Sequence, residues 1–251
     1  MKMTSISEAR EGYRERLYRH YLVNCRGVDL AEARQALHLS APYLNRVIRK
    51  HVPADRSIQI LDLGCGFGAL LYWLKQAGYT DLHGVDRSAE QVEGAHDLGL
   101  DFVRQGDIPE YLASTPSSSC DVVFAFDVLE HFGKDEAMCF ADDVFRVLRP
   151  GGRFVLHLPN GEGSFSGSVA TGDFTHELIL NRRSIAQLLR CIGFSSISSY
   201  EDTPVVHGVM SAGRWLVWKA YRSLLSIAYT AETGDGRGLI LTQNFLTVAV
   251  K

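Results

Sequence analysis

Residues 60–71, "ILDLGCGFGALL", place three glycines within five positions, Gly64, Gly66 and Gly68, between an apolar run and a second apolar run with helical spacing. Glycine weakens strands and helices alike, so a cluster at their joint marks a backbone that turns sharply or lets another molecule approach closely. The stretch predicts a strand, a tight turn and a helix, with a ligand at the turn.

Working outward, short β-rich runs alternate with helical patterns from Ser57 to Asn160: "SIQILDL", a helix from Ala69 to Ala77, "LHGVD", a helix near Ala89 to His96, "DFVRQGD", a short helix near Pro109, "DVVFAFDV", a helix from about Lys134 to Leu148, and "GRFVLHLPN". This alternation predicts right-handed βαβ units and a doubly wound α/β fold, its mostly parallel sheet covered on both faces. Upstream, residues 8–24 predict a helix bearing Arg10, Arg14, Arg16 and Arg19 among tyrosines. Residues 30–52 give further helix, with Ser40 as an N-cap and Pro42 in the first turn. Residues 1–53 are therefore expected to be a helical extension capping the site, and 54–251 the main domain. Within that domain, the glycine- and serine-rich 161–177 predicts a mobile substrate loop. After it come a helix from Arg183 to Cys191 ended by Gly193, an inserted aromatic and basic helix over 211–230, and a last strand in "LTQNFLTVAVK".

The chain has 251 residues, 46% hydrophobic and 22% charged, as soluble globular domains do, and a net charge of -3 that offers nucleic acid no global attraction. Its five cysteines, at 25, 65, 120, 139 and 191, include no C-x-x-C pair, which fits reduced thiols in the cytoplasm and gives no zinc framework. No apolar leader or membrane-spanning run is present, so a cytoplasmic protein is expected.

In open α/β sheets ligands bind beyond the carboxyl ends of the strands, and the first βα turn is the usual place. Gly64, Gly66 and Ala69 can be fitted to a dinucleotide fingerprint, so the glycines alone leave a nicotinamide enzyme open. The acids discriminate better. Asp62, Asp86, Asp107 and Asp127 stand at or beside the ends of four successive strands, where they would repel a pyrophosphate and attract a cationic nucleoside. Asp86, 22 residues after Gly64, suits the acid that accepts from ribose hydroxyls. Asp62 also fits a carboxylate facing the helix dipole, and Asp107 an N-cap for the helix at Pro109.

These residues resemble the class I S-adenosylmethionine-dependent methyltransferases. "ILDLGCGFG", "GVDRS", "GDI", "DVVFAFDVLEHF" and "VLRPGGRFVLHLPN" match that family's motifs in its order, over roughly Ser57 to Asn160. The resemblance implies a seven-stranded Rossmann-like sheet with S-adenosyl-L-methionine as cofactor and S-adenosyl-L-homocysteine as product. It implies that Gly64, Cys65 and Gly66 hold the methionine portion with Asp62 tuning them, and that Asp86, with Arg87 beside it, binds the ribose. Asp107 and Ile108 would flank the adenine, and Phe126 and Asp127 would face the methionine end.

A hydroxyl acceptor needs a base, and histidine is the commonest one. His131 follows the fourth strand. His176, in "DFTHE", stands first because it follows the flexible loop; ordering that loop is its other role, and no second histidine at ligand spacing makes it part of a metal site with Asp173 and Glu177. His157 is expected to be a satisfied core histidine. No Asn- or Asp-Pro-Pro-aromatic tetrapeptide follows the fourth strand, and the tail resembles enzymes of bacterial surface glycans and quinone-type O-methyltransferases. The expected acceptor is a hydroxyl of a glycan or small molecule, with a quinone-type ring hydroxyl, an amine, a nicotinamide reaction and a non-catalytic module as alternatives. Segment 211–230 is expected either to pack its aliphatic side on the core as a lid or to touch a membrane surface peripherally.

Overall fold

The computed structural model describes Arg14, Leu17 and residues 37–251. The helix expected over 8–24 lies outside the described residues except at those two positions, both helical. In chain order the elements are α1 (Leu37–His51), β1 (Gln59–Leu63), α2 (Ala69–Gln76), β2 (Asp81–Asp86), α3 (Ala89–Asp97), β3 (Val103–Gln105), α4 (Ile108–Ser114), β4 (Cys120–Phe126), a 3-10 turn (Leu129–His131), α5 (Lys134–Val147), β5 (Leu148–Pro159), α6 (Gly167–Ala170), α7 (Arg182–Ile192), β6 (Ser196–Glu201), α8 (Val209–Thr233) and β7 (Asn244–Val250).

The strands form one sheet in the order β3-β2-β1-β4-β5-β7-β6; β7 runs antiparallel to both its neighbours and the other pairs are parallel. The order reverses at β1, so a crevice opens beyond the carboxyl ends of β1 and β4. The central strands β1 and β4 are apolar at most positions because both of their faces are buried, whereas β3 and β6 at the sheet edges are largely polar. Val122, Phe124 and Val155 project into one cluster with Leu44, Ile48, Leu71 and Leu74; Val123, Ala125 and Phe154 project into the other with Phe140, Val144, Ile185 and Leu189. Phe124, Phe154 and Phe245 are fully buried, each contributing roughly 1.5–3 kcal/mol.

Leu44, Val47 and Ile48 of α1 pack in the first cluster, against residues of the expected main domain. Two expectations change. Ser40 does not cap α1: it lies within the helix, as does Pro42, and its hydroxyl donates to the Leu37 carbonyl at 2.7 Å. The late helix extends beyond 211–230 until Gly234, at φ +76°, ends it, and its orientation is the reverse of a lid's: the aromatic side packs inward while Leu216, Val217, Leu224 and Ile227 are exposed. No described helix is long and apolar enough to cross a membrane.

Candidate active site

The glycine turn leaves β1 at the reversal point. Gly64, at φ +71°, donates to the Val85 carbonyl at 2.8 Å, and a Cβ there would stand 2.5 Å from the Val128 side chain. Gly66, at φ +55°, donates its N–H to Asp86 Oδ2 at 2.8 Å. The turn thus needs glycine both for its left-handed backbone and for close approach. It floors a cavity of about 540 Å³, within the roughly 300–1,000 Å³ of small-molecule sites. Asp62, Gly64, Cys65, Gly66, Asp86, Arg87, Asp107, Ile108, Phe126 and Asp127 all line it.

The acids differ in state. Asp86 accepts from Gly66 N–H and, through Oδ1, from Ser88 N–H at 2.9 Å; burial pushes its carboxyl up against those two bonds. A carboxylate has about four acceptor sites, so two remain for a ligand. Asp62 is buried, and among the described residues no hydrogen-bond donor reaches its carboxylate. Burial, and then the charge of Asp86, hold it well above the usual carboxylate range. Such an orphaned acid beside a second one suits a cationic ligand group. Asp107 occupies the N-cap position of α4 without a side-chain cap bond and pairs instead with Arg87 at 3.2 Å.

Of the two histidines named as bases, His131 lines the cavity and His176 does not. Their rings meet edge to face, 4.8 Å between centroids. Thr175, fully buried, donates its single hydroxyl proton to Asp173 Oδ1 at 2.6 Å, so its oxygen accepts from His131 Nδ1–H at 2.9 Å. His176 Nδ1–H donates to the Ala170 carbonyl at 3.1 Å. Both tautomers are thereby fixed. Burial, followed by His176, pushes His131 down to about 4, so it is neutral at physiological pH. Arg14 donates to the His131 carbonyl at 2.9 Å and pairs with Glu136 and Glu177. Ligand atoms of Glu130, His131 and His176 lie within 4.8 Å of one another, and a tetrahedral zinc shell would need that group contracted to ~3.3 Å.

Residues 61–156, which carry the turn and the strand-end acids, match the family model described as a methyltransferase domain. Over that stretch and beyond it the chain is similar to S-adenosylmethionine-dependent methyltransferases. It is 37% identical over 166 residues to a probable S-adenosylmethionine-dependent methyltransferase of Mycolicibacterium smegmatis, covering 59% of this chain and 55% of that one. It is 24% identical over 140 residues to an O-methyltransferase of Aspergillus sclerotiorum, covering 51% and 52%. It therefore spans about half the length of the curated relatives it matches. Its fold is similar to that of an S-adenosylmethionine-dependent methyltransferase from Archaeoglobus fulgidus, with a TM-score of 0.65, 19% identity, and coverage of 92% of this chain and 98% of that one.

Beside this cavity lies a charged cluster that local sequence does not signal. His157 is buried, as expected for a core histidine, and donates from Nδ1 to Asp127 Oδ1 at 2.7 Å and from Nε2 to Asp202 Oδ2 at 3.3 Å. Burial opposes its charge, but the two carboxylates prevail and hold it up to about 10. Arg46 of α1 completes the cluster, pairing with Asp202 at 3.3 Å. Asp127 sits at φ +54°, a conformation aspartate tolerates better than most residues, and that backbone turns its carboxylate toward His157 while keeping it in the cavity wall. Sequence reasoning also missed Gln91 and Thr175; the only local signal was the Asp-x-Thr spacing, which forms an Asx turn with Thr175 N–H donating to Asp173 at 2.9 Å.

Proposed function

We propose that this protein is a methyltransferase that moves a methyl group from S-adenosylmethionine to a hydroxyl of a small molecule or glycan, with His131 as the base and His176 behind it. The observation that carries the reading is the tautomer-fixed His131 in the wall of the cavity that the glycine turn and Asp86 floor. The residues present suit the cofactor: Gly64, Cys65 and Gly66 allow close approach, Asp62 offers an orphaned carboxylate to an ammonium, and Asp86 has acceptor sites left for ribose hydroxyls. Asp107 and Ile108 would flank the adenine, with Arg87 beside Asp86 at the ribose and Phe126 and Asp127 at the methionine end. When bound, the cofactor supplies an electrophilic methyl group on a sulfonium.

The chain's part is alignment and proton removal. His131, neutral at physiological pH and oriented through Thr175, takes the acceptor's hydroxyl proton on Nε2 while Nδ1 stays bonded to Thr175. A hydroxyl acceptor is supported by the O-methyltransferase name of the Aspergillus relative. The test is transfer of labelled methyl to matched panels of hydroxylated compounds, glycans and amines. Label on oxygen is expected, and label on nitrogen alone would overturn the acceptor class.

A further inference from the structure

We propose that the outer face of α8 docks the protein onto an anionic lipid surface. The rotation of α8 is fixed by its inner side: Tyr221 stacks on Phe165 with centroids 5.8 Å apart, and Arg222 pairs with Glu201 at 2.6 Å and donates to the Leu239 carbonyl at 3.2 Å. With the aromatic side held down, Val209, Met210, Leu216, Val217, Leu224 and Ile227 point outward, each between 62% and 91% exposed. At 100° per residue these six fall within one stripe along a helix ~37 Å long. Six aliphatic side chains in one stripe exceed the scattered exposure normal for a monomer and mark a contact surface.

Charge selects the occupant. Arg214 and Lys219 lie on opposite margins of the stripe, both exposed, and the only acidic residue of α8 is Glu232, at its far end. Two copies paired across a two-fold axis would set basic margin against basic margin, with no acid at mid-helix to compensate. A lipid surface carrying phosphate headgroups complements both margins at once. Long basic side chains can reach such headgroups while the aliphatic stripe enters the acyl boundary. Lipid binding by α8 depends on neither the acceptor nor the base and is read without turnover.

The test is co-sedimentation of the full chain with vesicles of phosphatidylcholine alone or supplemented with phosphatidylglycerol. Binding to the supplemented vesicles, weakened by salt, is expected. Val217→Asp with Leu224→Asp should abolish it, and Arg214→Glu with Lys219→Glu should weaken it by about tenfold or more. Unchanged thermal unfolding midpoints establish that the variants fold, and the salt dependence of the unsubstituted chain needs no variant. A chain that ignores both vesicle types overturns the proposal, as does a dimer in solution that Val217→Asp with Leu224→Asp dissociates.

Discussion

Thr175 has one hydroxyl proton and gives it to Asp173, which obliges His131 to be the donor in the next bond. Asp173 and Thr175 touch neither cofactor nor acceptor in the proposed function, so they act by positioning. Thr175→Val should therefore lower kcat by part of the roughly 10²–10⁴-fold that a positioned base contributes, leave S-adenosylhomocysteine affinity unchanged, and be rescued by Thr175→Ser. Burial and His176 keep His131 neutral, which moves the expected pH profile. A base must be unprotonated, so turnover should rise with pH through about 4 and stay level through pH 6–7, where an unperturbed histidine would show its inflection. Turnover that His176→Ala abolishes and His131→Ala retains would give the base role to His176, the order expected from sequence.

At the scale of elements, the ends of β4 and β5 are tied to α1 and to the segment after β6 through Asp127, His157, Asp202 and Arg46. His157 is raised in the folded state relative to the ordinary value of 6.5. Its contribution to stability is thus fully present below about pH 6.5 and is lost as pH rises toward about 10. The unfolding free energies of the unsubstituted chain and of His157→Gln should differ by on the order of a few kcal/mol more near pH 6 than near pH 9.5. A gap of equal size at both pH values would show that His157 is not held charged. Arg46 and Asp202 were not legible in the sequence because they come from segments far from His157 and from each other. That the residues expected at the cofactor line one cavity was legible, since strand order and the period of each element determine which positions reach the carboxyl edge. Helix α8 lies between these cases: its two faces were readable, but which one packs is decided by Phe165 and Glu201 elsewhere in the chain.

Over the whole molecule, the reversal of strand order at β1 brings the glycine turn, Asp62 and Asp86 to one end of the sheet and sets His131 in the same cavity wall. This end is expected to bind an S-adenosyl nucleoside and to exclude a pyrophosphate-bearing one, because two buried acids favour a cation. The most direct measurement is calorimetric titration of S-adenosylhomocysteine and of NADH into the unsubstituted chain and into Asp86→Ala. Two charge-assisted bonds at about 1.5 kcal/mol each correspond to roughly a hundredfold in affinity. The expected result is S-adenosylhomocysteine binding that weakens at least about a hundredfold in Asp86→Ala, with no NADH binding to either protein. Tight NADH binding without S-adenosylhomocysteine binding, or S-adenosylhomocysteine affinity that Asp86→Ala leaves unchanged, would contradict it.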